Sequence, residues 1–166
     1  MRTLTQVALI GTAIFLSIFY SPQQVSARTI KINCNSGQPF QRIFDTANDG
    51  DIIQVLGACS RNIVIEKNRI VLDGLGGANG LGGATINGPD ADSPTIRVRG
   101  LNVTIRGFAS ISGGSSSILV ERSGSAVILQ NTLENSARGV LVTSGSHARI
   151  TNNTIQNHTG GTMLMV

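Results

Sequence analysis

Aromatic side chains are scarce here: tryptophan is missing, and the one tyrosine, Tyr20, falls in the first 27 residues. Grooves for sugars and single-stranded nucleic acids stack their ligands on aromatic platforms, so this absence counts modestly against both, and no nucleic-acid partner is expected. Cysteine occurs twice, as Cys34 and Cys59, with no histidine near either. A catalytic or metal-binding pair therefore lacks its neighbours, and a structural disulfide is the default in an oxidising compartment. Charge is sparse too. Beyond residue 27 there are 12 basic and nine acidic residues, a net +3 that leaves most arginines as solvated or paired faces.

The longest apolar run, residues 7–19, has 13 residues, too short to span a bilayer comfortably. Arg2 precedes it, and Val25-Ser26-Ala27 offers the small residues at which a signal peptidase cuts. Residues 1–27 are accordingly read as a cleaved signal peptide. The expectation is a secreted or periplasmic protein with no membrane association after cleavage.

What is present is a repeat. Ile111, Leu133 and Ile155 are spaced by 22 residues, as are Ile96, Ile118 and Val140, and Ile128 and Ile150 share that step. Short runs such as Ile96-Arg97-Val98 and Val140-Leu141-Val142 are apolar at every second residue and are divided by Gly, Ser and Asn, the strand period broken by turn residues. A leucine-rich repeat would need a Leu-rich scaffold and a helix or 3₁₀ turn in each unit. Like strands recurring once per coil predict instead an all-β solenoid: a single-stranded parallel β-helix with columns of Val and Ile inside, right-handed by the crossover rule.

The segment "ARITNNTIQN" from Ala148, its copy "AVILQNTLEN" from Ala126 and the earlier "VTIRGFASISGG" from Val103 resemble the repeat of the pectate-lyase-like superfamily of right-handed parallel β-helices. The resemblance covers roughly residues 52–166. It implies that Asn131 and Asn153 form a stacked Asn ladder inside a turn. It leaves the reaction open, because this fold carries many functions.

Ahead of the coils, residues 28–50 read as an N-terminal cap: a strand at Thr29-Ile30-Lys31-Ile32, then a short capping helix carrying Phe40, Ile43, Phe44 and Ala47 at helical spacing. A disulfide between Cys34 and Cys59 would tie this lid to the first coil. Residues 51–166 are the coils. Residues 74–83 interrupt them with six glycines. The dinucleotide-loop reading fails because Asn79 stands at the third glycine position of GxGxxG and no helix follows, which leaves a flexible excursion between coils. The chain stops at Met163-Leu164-Met165-Val166 in the place of the next strand. The expectation is an incomplete solenoid, a fragment of a longer one, with association through the open C-terminal end as the other option.

Lyases and hydrolases of this fold carry carboxylates on the outer face of neighbouring coils, where they bind Ca²⁺ or act as acid and base. Stepping by 22 places Glu121 beside Arg99, Glu134 beside Gln156, and Asp90 and Asp92 beside Ser112 and Gly114, so no column holds two acids. Counting across the glycines adds Asp73 beside Arg106. No catalytic residue or metal site is assigned, and no cofactor is expected, Ca²⁺ entering only with the enzyme reading. The candidate polymer-binding face is Arg97, Arg99 and Arg106 with Asp90 and Asp92, suited to an acidic polysaccharide. His147 and His158 with Met163 and Met165 suggest a copper-associated protein, yet both Met stand where core residues did. Sequons at Asn102, Asn152 and Asn157 arise by chance in so Asn- and Thr-rich a repeat.

Three function classes follow in order: an exported module that binds carbohydrate or another extracellular polymer or serves as a scaffold; the N-terminal part of a lyase- or hydrolase-type carbohydrate-active enzyme whose catalytic coils lie elsewhere; and, remotely, a periplasmic copper-associated β-helix.

Overall fold

The computed structural model describes residues 26–37, 39–77, 80–143, 145–161 and 163–165; the signal-peptide reading, Asn79 and Val166 fall outside that set. Strand β1 (Thr29–Asn33), a 3₁₀ turn (Cys34–Ser36) and helix α1 (Phe40–Thr46) lead into five coils of three strands. These are β2 (Ile52–Leu56), β3 (Ala58–Ser60) and β4 (Ile63–Ile65); β5 (Val71–Asp73), β6 (Thr85–Gly88) and β7 (Ile96–Val98); β8 (Val103–Arg106), β9 (Ser110–Gly113) and β10 (Ile118–Val120); β11 (Ser125–Leu129), β12 (Thr132–Glu134) and β13 (Val140–Val142); and β14 (His147–Thr151), β15 (Thr154–Gln156) and β16 (Met163–Met165). Each coil adds one strand to each of three parallel sheets: sheet A (β1-β2-β5-β8-β11-β14), sheet B (β3-β6-β9-β12-β15) and sheet C (β4-β7-β10-β13-β16).

The alternation of the short strands decides which side chains face inward. Leu133 stacks between Ile111 and Ile155, and Ile118 between Ile96 and Val140. Ile96, Ile111, Ile118, Ile128, Leu133 and Val140 are all fully buried, each worth about 1.5–3 kcal/mol relative to exposure. Coils turn on single left-handed residues. Asn135 and Asn157, at φ 53° and 57°, continue the corner that Gly113 makes at 75°, and Asn tolerates that region better than other side chains. At the next corner Gln130 and Asn152 take the same conformation, at φ 56° and 54°. The residues that follow them, Asn131 and Asn153, turn inward: Asn131 Nδ2 donates to Asn153 Oδ1 at 3.0 Å and to the Ile105 carbonyl at 3.0 Å. Its Oδ1 accepts from Phe108 N at 3.1 Å. Phe108, also fully buried, fills the equivalent place one coil earlier.

The lid forms as its apolar spacing predicts, with Phe40, Phe44 and Ala47 buried. Its polar face matters as much. Gln41 Oε1 accepts from Val64 N and Gln41 Nε2 donates to the Val64 carbonyl, both at 3.0 Å. Val64 lies in β4, the edge of sheet C, so one carboxamide satisfies a backbone pair that would otherwise template another chain. A Cys34–Cys59 disulfide joins the 3₁₀ turn to β3, the edge of sheet B. Strand β1 is more than cap. It pairs in register with β2 from Thr29 to Asn33, so the stack begins ahead of residue 51.

The glycine-rich stretch is an excursion but not the flexible one expected. Gly74 N donates to the Arg106 carbonyl, Gly76 N to that of Gly107 and Ala84 N to that of Gly74, each at 2.8 Å. A Cβ on Gly80, at φ 75°, would lie 1.7 Å from the Phe108 oxygen. The glycines let this backbone lie directly on the third coil, and that contact holds it.

Below the lid, Asp51 is fully buried. Its Oδ2 accepts from Arg28 Nη2 at 2.7 Å and Asn48 N at 2.8 Å, and its Oδ1 from Arg28 N at 3.0 Å. The Arg28 hydrogen bond leads the forces that hold its carboxyl down at about 2 despite burial. A depressed carboxyl stabilises the fold above its unfolded value, near 3.9, and that contribution is lost as pH falls toward the folded value. Stability measured by denaturant is therefore expected to fall between roughly pH 4 and 2, with a smaller fall in Asp51→Asn. Removing the ladder amide in Asn131→Ala is expected to cost about 2–4 kcal/mol, since it strands buried backbone groups and leaves a void. Asn153→Ala, at a half-buried site, should cost less in the same titration.

Candidate functional site

Sheet C presents Arg97 outward, and the corner that follows it presents Arg99. Both guanidinium groups converge on Glu121 Oε1, at 2.9 and 2.8 Å, and Arg99 Nη1 also reaches Glu66 Oε1 at 3.0 Å. Burial pushes the Glu121 carboxyl up, but the hydrogen bonds and charges of Arg99 and Arg97 outweigh it and hold the group below the usual carboxylate range. Arg106 sits elsewhere, at the end of β8 in sheet A, where its Nε and Nη2 meet Asp73 Oδ2 at 3.0 and 2.7 Å.

Asp90 and Asp92 lie at a third place, the loop between β6 and β7. Asn62 fastens this loop: its Oδ1 accepts from Asp90 N at 3.1 Å and its Nδ2 donates to the Pro94 carbonyl at 2.9 Å. The Ser93 hydroxyl and the Asp92 N–H hold the Asp90 carboxyl low. The structure thus brings Arg97 and Arg99 together but distributes Arg106 and the two loop acids to other sides of the coil.

Two column assignments need correction. Gly88 pairs with Gly113 and Asn87 with Ser112, a step of 25, so Asp90 and Asp92 do not stand beside Ser112 and Gly114. Ile65 pairs with Val98, a step of 33, so Glu66 comes beside Arg99 and shares its column with Glu121. The column does hold two acids, with an arginine between them. Both errors come from carrying 22 into early coils of different length.

Between sheets B and C the corners form an open groove of about 550 Å³ along the coil axis, lined by Gly88, Ala91, Gly114, Asn135, Ser136 and Thr159 among others. It crosses four coils, roughly 14 Å at about 4.8 Å per step. Small side chains and Asn make this hollow, because each corner turns on one left-handed Gly or Asn. The outward residues of sheet B just before it are Asn87, Ser112, Glu134 and Gln156. Glu134 accepts from Gln156 Nε2 at 3.0 Å. The lining is amide, hydroxyl and backbone, with no aromatic and one flanking carboxylate on that row. Sequence reasoning missed it, since a hollow made by small corner residues leaves no motif.

The two histidines are apart: His147 opens β14 in sheet A, while His158 follows β15 and turns its ring nitrogens to the Ser136 and Leu133 carbonyls at 3.3 and 3.2 Å. Among the described residues no three His, Cys, Asp or Glu side chains are grouped to hold a metal ion, and no helix is long and apolar enough to cross a membrane.

Residues 91–166 match the family model described as a right handed beta helix region. With the parallel three-sheet stack, this identifies the chain as a right-handed parallel β-helix protein, consistent with the pectate-lyase-like superfamily its repeats resemble. No curated protein and no solved structure matches the chain.

Replacing Glu121 by Gln leaves two arginines, each about one-quarter exposed, without their shared anion. The expected loss is about 1 kcal/mol in denaturant titration, smaller at high salt.

Proposed function

We propose that this chain is an exported, non-catalytic β-helix module that holds an extended, hydroxyl-rich extracellular polymer, a polysaccharide, along the groove between sheets B and C. The observation that carries this reading is the groove itself. It runs parallel to the stack and presents similar amide, hydroxyl and backbone groups at each coil, so a polymer with a regular repeat meets the same donors and acceptors several times over. Without aromatic platforms each contact is weak, and retention comes from their number. The disulfide fits an oxidising, extracytoplasmic setting, and residues 1–27 serve as the cleaved signal.

The carboxylates of the described coils favour binding over catalysis, because they are already engaged. Glu121, Asp73 and Asp51 face arginines, Glu134 meets Gln156, and Asp90 caps its own loop. An acidic polysaccharide would be drawn by Arg97 and Arg99 only in competition with Glu121.

The test is retention of the exported chain on a panel of neutral and acidic polysaccharides, with and without Ca²⁺, alongside absorbance of unsaturated products. The parent is expected to be retained without releasing products. Ala137→Trp with Thr159→Trp, which fill the groove, should weaken retention at least 10-fold with the melting temperature unchanged. No retention of the parent on any polymer, or unaltered retention in the filled variant, contradicts the proposal; product release supports the enzyme reading instead.

A further inference from the structure

The geometry points to a processing-dependent ion pair: cutting the Ala27–Arg28 bond creates an α-ammonium at Arg28, positioned on the buried Asp51 carboxylate, that fastens the first strand to the stack. This rests on the reading of residues 1–27 as a cleaved export signal, though not on polymer binding.

Asp51 is a fully buried acid that serves none of the surfaces described above. Its one side-chain cation, the Arg28 guanidinium, is itself 54% exposed, so much of that charge is spent on water. The other ligand from residue 28 is the backbone nitrogen, 3.0 Å from Asp51 Oδ1. In the uncut chain that nitrogen is a neutral amide with one hydrogen. Hydrolysis adds water across the Ala27–Arg28 peptide bond. Ala27 departs with the leader as a carboxylate, and the nitrogen, after taking up protons, becomes –NH₃⁺ in the same place. The agent is a signal peptidase-class protease with water as co-reactant. Ser26 and Ala27 are exposed, and the Arg28 carbonyl accepts from Ile52 N at 2.8 Å, so β1 is already registered up to the bond that is cut.

A second cation directly on Oδ1 gives the buried carboxylate the compensation that the half-solvated guanidinium supplies only in part. Of the other charged groups on this turn, Asp49 is turned toward Asn68 and Arg69, leaving the amine and the Arg28 guanidinium as the cations that face Asp51. An α-amine ordinarily titrates at about 7.7–8.0. Pairing raises it, so the stabilisation is present below that range and is lost as pH rises through the raised value.

The experiment compares three forms of the chain: one beginning at Arg28 with a free amine, the same chain Nα-acetylated, and one retaining Ser26 and Ala27. At pH 6.5 the free-amine form is expected to melt about 2–4 °C above both others. The gap should close at pH 10.5 and be absent in the Asp51→Asn background. Equal melting of the three forms, or a gap that survives high pH or Asp51→Asn, overturns the proposal. Should Asp51→Asn fail to fold, the pH dependence of acylation of the Arg28 amine in the parent decides: a midpoint clearly above about 8 supports the pair, and an ordinary one refutes it. Sequencing the N-terminus of the exported chain tests the processing premise separately. A start at Arg28 supports it, and any other start overturns it while leaving the polymer-binding test untouched.

Discussion

Every other feature of the molecule depends on the contact between one coil and the next. Parallel strands about 4.8 Å apart share backbone hydrogen bonds along three sheets while their inward Ile, Val and Leu side chains meet in columns. Neither contribution is available to a lone coil, which has too little apolar surface to bury and an unpaired ladder on both sides. The constraint explains why a 22-residue period survives from the third coil onward although the outward residues vary freely. It also explains the interior polar groups. Asn131 is tolerated at full burial because its amide is bonded to the coil on either side, which makes the ladder an extension of the sheets through a corner where strands cannot run.

A stack also has ends, and the N-terminal end shows how open edges are managed. The carboxamide of Gln41 takes the place of a neighbouring strand at Val64, the disulfide holds the 3₁₀ turn at β3, and β1 pairs with β2. Three devices thus close three sheets. Two of them belong to one short segment, residues 34–41, so the lid is a compact answer to edge pairing and not merely an apolar plug. Asp51 lies just beneath it, where burial and charge have to be reconciled at the first strand.

Much of this architecture was legible in the chain because the relevant quantity is a period. The columns through Ile111, Leu133 and Ile155, the helix carrying Phe40 and Phe44, and the Glu121–Arg99 pair all follow from counting. Counting failed where coil length changes. Glu66 reaches Arg99 over 33 residues, and the loop after Gly88 is longer than its successors, so Asp90 and Asp92 were set in the wrong column. The Gly74–Gly83 stretch read as flexible because sequence shows glycine's freedom but not the Phe108 backbone against which that freedom is used. Gln41 and Arg28 left no signal either, since their partners Val64 and Asp51 lie 23 residues away in lid contacts that do not repeat. The groove between sheets B and C is a negative feature, defined by what Gly, Ala and Ser do not fill. The chemistry of the site was thus far less legible than the scaffold that shapes it.

The central claim is that residues one coil apart are axial neighbours. Methyl-labelled NMR tests it most directly, through nuclear Overhauser contacts among Ile111, Leu133 and Ile155 and among Ile96, Ile118 and Val140. The stack predicts strong cross-peaks from each central residue to both flanking residues in its own column, and weak or no cross-peaks between the flanking pair. Central residues without contacts to their column neighbours would contradict the fold and, with it, the groove and the ion pairs built on it.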